Sequence, residues 1–219
     1  MIKLFEQYNQ YNQVKDWLDK MEIVNYTIND DLIVDVNGDV RLSYSKLKEI
    51  PVQFGRVFGV FNLVYNELTS LKGCPVYVGG HFICGNNKLT SLEYCPEYIG
   101  GEFSCGENFL KNLIGGPKYV GEIYWCNNNQ LTSLVGSPVE IDYHFRCENN
   151  KLTNLKYAPK IIRGSIFCND NPSLPSEILD LNATQRKYFI DNQDEFGIWN
   201  DDGTFNKGRF ELFKKEILD

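Results

Sequence analysis

The chain has 219 residues and a formal net charge of −7, with a sequence pI of about 5.0. A chain of this length buries roughly 70% of the surface its unfolded form exposes, so one unit folds without staples. The acidic balance removes the attraction to phosphate that drives nucleic-acid binding, so no nucleic acid is expected as a partner. The first residues lack the apolar core and cleavage site of a secretory signal, and no stretch approaches a membrane span. A soluble, cytoplasmic protein with no membrane contact is therefore expected, and its seven cysteines, an odd number, are expected to be reduced.

In chain order, residues 1–34 predict an N-terminal cap. Leu4, Tyr8, Tyr11, Val14, Leu18 and Met21 recur at helical spacing with Trp17 beside them, the pattern of a capping helix. Tyr26 to Ile28 and Leu32 to Val36 read as short strands, and Asn37-Gly38 as a tight hairpin turn into the first coil.

Residues 35–174 are organised by self-similarity. LTSLKGCPVYVGGHFICGNNK begins at Leu68, and equivalent segments begin at Leu89, Leu110, Leu131 and Leu152, each 21 residues after the last. Leu71, Pro75, Val78, Phe82, Cys84 and Asn87 each head a column that persists through the later segments, and a weaker version extends upstream to Val40 and Leu42. This gives about six or seven coils of 21 residues. Such a period is too short for two-helix repeats and falls in the leucine-rich range. Phe82-x-Cys84-x-x-Asn87-x-Leu89 matches the L-x-L-x-x-N-x-L core of that repeat. The expected fold is a mainly β repeat solenoid, a leucine-rich-repeat stack with a parallel β-sheet and helical N- and C-terminal caps. Phe82 and Cys84 point inward by strand alternation, and the asparagine column satisfies backbone groups at a corner. The proline column and the pairs Gly79-Gly80 and Gly100-Gly101 exclude a regular helix on the outer side, which should run extended or polyproline-like.

Residues 175–219 predict a C-terminal helical cap. Pro175-Ser176-Glu177 resembles a helix start, and Phe210, Phe213, Ile217 and Leu218 mark a short amphipathic helix. Between them Asn200-Asp201-Asp202-Gly203 resembles a calcium loop but lacks the alternating ligands and the distal glutamate.

The LTSL motif, the proline four residues later and the F-x-C-x-x-N run resemble the short bacterial leucine-rich repeat of type III secretion effectors. The resemblance is closer to repeat proteins of unassigned role from tailed bacteriophages, in which a stretch like YTINDDLIVDVNGDVRLSYSKLKEIP leads into Gly-Gly-x-Phe-x-Cys coils. It covers roughly residues 22–175. It implies the solenoid fold strongly and says little about function, since such scaffolds host many partners. The ubiquitin-ligase domain that often follows effector repeats is not implied, because the 45 C-terminal residues are too few and contain no cysteine.

The search for chemistry returns structural readings. Cys84, Cys105, Cys126, Cys147 and Cys168 occupy a column that holds Leu42 and Leu63 in earlier coils, as small hydrophobes filling core space. Spread along a ladder with roughly 4.8 Å per rung, they do not converge on a metal. His81 and His144 share one outward column three repeats apart, too far for a dyad. No nucleophile elbow, phosphate loop or dinucleotide fingerprint is present, so no catalytic residue, metal or cofactor is expected; an enzyme with a surface carboxylate site, using Glu102 or Glu148, is the remaining catalytic alternative.

Function is expected where the columns stop repeating. The outward strand column reads Arg41, Asn62, Ile83, Ser104, Trp125, Arg146, Phe167, and its neighbour contains Ile123 and His144. Ile83, Ile123, Trp125, His144, Arg146 and Phe167 are the candidate partner-binding residues, because large apolar, aromatic and arginine side chains are enriched in interface hot spots. The competing reading is that the C-terminal cap covers some of them. The flank column Tyr77, Tyr98 and Tyr119 is expected to shield the edge of the stack. The resulting expectation is a non-enzymatic protein-protein interaction module. The resemblance adds that it is phage-encoded and binds or inhibits a bacterial host protein in the host cytoplasm, with an antiviral defence component as a candidate. The alternative is a structural or virion-associated protein that self-associates.

Overall fold

The protein, described by a computed structural model over residues 2–218 with the side chains at 2–5 and 7 outside the description, is a β-solenoid between helical ends. Helix α1 (Ile2–Lys20) leads to an antiparallel hairpin of β1 (Tyr26–Ile28) and β2 (Ile33–Val36). From β2 onward each coil contributes one short strand to each of two parallel ladders. The first ladder runs from β2 through Gln53–Val57, Tyr77–Val78, Tyr98–Ile99, Tyr119–Val120 and Glu140–Ile141 to Ile161–Ile162. The second runs from Val40–Arg41 through Phe61–Asn62, Phe82–Ile83, Phe103–Ser104, Tyr124–Trp125 and Phe145–Arg146 to Ile166–Phe167.

The expected parallel sheet is thus two ladders meeting at a glycine corner. The glycine pairs lie at this corner and not on the outer side, because the rungs approach there with no room for a side chain. A Cβ on Gly100 would stand 2.3 Å from the Gly79 carbonyl oxygen, and one on Gly121 would stand 2.2 Å from that of Gly100. Asn37-Gly38 is likewise such a corner, passing the chain from one ladder to the other; the hairpin closes at Asn29 to Leu32, where Leu32 N donates to Asn29 O.

Beyond the second ladder the chain runs through bends and a turn, with Cys74 N donating to Leu71 O and Cys95 N to Leu92 O. The serine of LTSL serves this turn: Ser70, Ser91 and Ser133 hydroxyls accept from the backbone N–H two residues on, and Asn112 and Asn154 do the same with their amide oxygens.

Inside the coil the repeating columns are buried. Leu68, Leu71, Val78, Phe82 and Cys84 and their counterparts through Leu152 are closed to solvent, each large side chain contributing about 1.5–3 kcal/mol of burial. Phe61, Phe82 and Phe103 stack face to face along the axis, as identical side chains on parallel rungs must when the register is one residue to one. The buried asparagines stitch the corner. Asn108 Nδ2 donates to Cys84 O and Cys105 O at 3.1 Å each, and its Oδ1 accepts from Leu89 N at 2.9 Å.

The ends differ from expectation in detail. Of the α1 stripe, Leu18 is buried, Val14 and Met21 are half-buried, Tyr8 and Tyr11 are exposed, and Leu4 lies outside the described side chains. Among the described side chains of α1, those of its last turns cover the stack, where Trp17 meets Phe54 edge-on. At the other end α2 (Ser176–Leu179), α3 (Ala183–Asn192) and α4 (Lys207–Phe213), which continues into a wider turn over Lys214–Leu218, enclose Phe189, Trp199, Phe210 and Phe213. The Asn200 to Gly203 segment is a hydrogen-bonded turn. Asp202 accepts from the Thr204 N–H and hydroxyl, and Lys156 Nζ donates to Asn200 O. Its carboxylate is committed to Thr204.

Candidate protein-binding face

The outward column of the second ladder is fixed by register: Ile83, Ser104, Trp125, Arg146 and Phe167 follow one another on successive rungs. Three of these form a stack. The Arg146 guanidinium carbon lies 4.4 Å from the Trp125 ring centre and 4.7 Å from that of Phe167. Glu148, two residues along the same rung, accepts from Arg146 Nε and Nη2 at 2.9 and 2.6 Å. The Arg146 side chain retains 32% of its exposure and Glu148 16%, so the pair is neither free nor sealed.

His144 joins the group from the adjacent column, edge-on to Phe167 at 5.3 Å and against Tyr143 at 3.9 Å. Its orientation has a structural cause. His144 Nδ1 accepts the Ser165 N–H of the next rung at 2.9 Å, and His81 Nδ1 accepts that of Glu102 in the same way. Each bond requires glycine at the preceding position of the next rung: a Cβ on Gly164 or Gly101 would stand 2.7 or 2.6 Å from the imidazole nitrogen. Asp39 follows the same rule with Val60 N and Gly59. The histidines therefore hold rungs together as acceptors.

The structure brings Trp125, Arg146, Phe167 and His144 together. Ile123 precedes Trp125 by two residues on its rung, whereas Ile83 is separated from Trp125 by Ser104. All six candidates are half-buried, because neighbours along the ladder cover their flanks. Helix α3 packs on the terminal Ile166–Phe167 strand, so the cap does approach the last rung. Three polar atoms lie buried without a protein partner among the described residues: Trp125 Nε1, Glu148 Oε2 and the Tyr124 hydroxyl. The last has a packing origin. Tyr124 replaces phenylalanine in its column and its hydroxyl reaches Gly116, where a Cβ would stand 3.2 Å away.

Of the carboxylates, Glu148 is occupied by Arg146, and burial pushes the Glu102 carboxyl up, with nearby His81 opposing and Glu122 adding to the rise. Burial also raises the cysteine thiols, Cys168 to about 11 and the others further or well above their ordinary value. Thiols so held are protonated and poor nucleophiles. Among the described residues no group of three or more His, Cys, Asp or Glu is arranged to hold a metal, and no helix is long and apolar enough to cross a membrane.

On the flank, Tyr77, Tyr98 and Tyr119 stack at 5.1 and 4.9 Å. Arg56 closes one end over the Tyr77 ring at 4.7 Å, and the Tyr119 hydroxyl donates to Asp142 at 2.6 Å at the other. Ring faces in the middle of this ladder are covered by one another, which fits a shielding role. Sequence reasoning missed the involvement of Tyr143 and the pairing of Arg146 with Glu148, although the R-x-E spacing on one strand face was a readable signal. Compared with known proteins, the chain matches no family model, no curated protein and no solved structure.

Proposed function

We propose that the chain is a non-enzymatic protein-binding module whose contact surface is the outward face of the second ladder around Trp125, Arg146 and Phe167. The observation that carries this reading is the Trp125–Arg146–Phe167 stack. It is a partly desolvated, neutralised arginine between two aromatic rings in a column that elsewhere carries Asn62 and Ser104, and it supplies the side-chain types that dominate interface energetics. A broad, shallow sheet face suits a protein surface better than a small substrate, which takes a deep pocket. The resemblance to phage repeat proteins extends the proposal to a phage-encoded protein that acts in the host cytoplasm. There it binds and inhibits a bacterial protein, with an antiviral defence component as the target class.

The test is affinity capture from bacterial lysate with wild type and a Trp125→Ala, Arg146→Ala double variant, identified by mass spectrometry and read beside each protein's melting temperature. A host protein retained by wild type and lost by a still-folded variant is the expected result. Equal recovery by both would remove this face as the interface.

A further inference from the structure

The outward column contains two intervals of the same span, and only one has a long side chain on its middle rung. Trp125 and Phe167 stand two rungs apart, about 9–10 Å at parallel-strand spacing, and Arg146 occupies the interval. Ile83 and Trp125 also stand two rungs apart, with Ser104 between them. A serine side chain ends at its hydroxyl, so the thickness that a guanidinium fills on one side of Trp125 is left without one on the other. The same rungs carry Gly85 and Gly106 two residues further on, and the Asn127 side chain of the Trp125 rung lies against Gly106, where a Cβ would stand 2.9 Å from its Oδ1, bounding the interval on that side with a carboxamide.

Among the described residues, the acids around this interval face only the His81 imidazole as a basic neighbour. The two arginines of the face are spent on internal acids, Arg41 on Asp39 at 2.7 Å and Arg146 on Glu148 at 2.6 Å. Glu102, two residues before Ser104 on its rung, is half-buried and makes no ion pair among the described residues. The neighbouring Glu122 lies 3.8 Å from His81, a contact that is ionic only if the imidazole is protonated. A sheet face with an aromatic ring, a carboxylate and a serine between two large side chains fits a planar cation. Arginine fits better than lysine, because a guanidinium stacks and pairs at once.

Resting on the reading of this face as a protein-binding surface, we propose that the interval over Ser104, between Ile83 and Trp125, takes an arginine side chain of the partner protein. Its guanidinium stacks on the face of Trp125 turned away from Arg146 and pairs with Glu102, continuing the alternation of cation and ring that Arg146 begins.

The test needs no identified partner. The indole N–H resonance of Trp125, assigned by its loss in Trp125→Phe, is followed by NMR while the whole protein is titrated with N-acetyl-arginine methylamide or its neutral citrulline analogue. The expected result is a saturable shift with the arginine probe that is roughly fivefold weaker with citrulline, the size of an exposed cation–π contact. Ser104→Leu, at an outward position, should abolish the shift with the rest of the spectrum intact, and Glu102→Gln should weaken it several-fold. No saturable shift, equal shifts with both probes, or an unchanged shift in folded Ser104→Leu would overturn the proposal. In the lysate comparison, Ser104→Leu retaining a host protein that the Trp125→Ala, Arg146→Ala variant loses would overturn the slot and leave the binding face standing.

Discussion

Asn108 shows how one side chain closes a corner of the coil. Its amide meets two carbonyls and one N–H that have no ladder partner, in a place closed to water. Asn108→Ala strands the Leu89 N–H and takes one of two donors from each carbonyl, since Cys84 O keeps Asn87 Nδ2 and Cys105 O keeps Asn129 Nδ2. At the usual cost of a buried unsatisfied group it should lower stability by about 1–3 kcal/mol, read as the midpoint shift in urea. A loss below about 1 kcal/mol would mean the corner relaxes to let water in. Tyr119 carries a prediction with a pH sign. Its hydrogen bond to Asp142, then burial, pushes the phenol up to about 12, while that bond and the one from Arg163 hold the Asp142 carboxyl down. A fold that favours the protonated phenol gains stability that is fully present below the ordinary tyrosine value of about 10 and is lost as pH rises through about 12. The stability difference between wild type and Tyr119→Phe should therefore shrink across that window. A difference constant from neutral pH upward would show that the bond contributes nothing.

Among the elements, the C-terminal cap packs α3 on the last strand and is tied to the final coil by polar bonds from both sides, Lys156 to Asn200 O and Gln193 to Leu155 O. Gln193 is buried, donates through Nε2 to Leu155 O at 3.1 Å, and accepts from Trp199 Nε1 at 2.6 Å. Gln193→Ala leaves the Trp199 indole N–H unpaired and takes the cap's bond from Leu155 O, which keeps the Ala158 N–H, a cost of about 1–3 kcal/mol borne by the cap. Amide exchange in α3 should accelerate while the rungs around Phe82 keep their protection; equal acceleration in both would show that cap and stack open together. The contrast between elements also explains what the sequence makes legible. The coils were readable because translation by 21 residues puts identical demands on each column, so Leu, Pro, Phe and Asn recur in register. The division into two ladders was not, since a glycine pair marks a corner without saying which way the chain turns. Asn37-Gly38 was read as a hairpin because its residue types suit both outcomes, and only pairing partners decide. Helix α3 was overlooked although Asn182 and Gln185 form a capping box, a local signal outside the repeat. The candidate face was legible as residue types, whereas its connectivity, from Glu148 on Arg146 to Gly164 beneath His144, depends on distances along the axis.

For the whole molecule, the cysteine ladder reports how the solenoid opens. All seven thiols are free and buried, and burial raises each of those proton affinities, so at neutral pH a thiol reagent meets little thiolate until a coil opens. Coils touch only their neighbours, which makes stability a sum of local and nearest-neighbour contributions and lets opening start at an end. The ends are unequal. Cys84 lies deep in the stack, whereas Cys168 sits on the last rung, where only the cap, held through Gln193, stands beyond it. Alkylation followed by peptide mass spectrometry should then mark Cys168 first and the interior columns later, together, at the rate of global unfolding. Gln193→Ala should quicken Cys168 and leave Cys84 unchanged. If all seven react at a single rate in both proteins, cap and coils unfold as one cooperative unit, and the nearest-neighbour description fails for this stack.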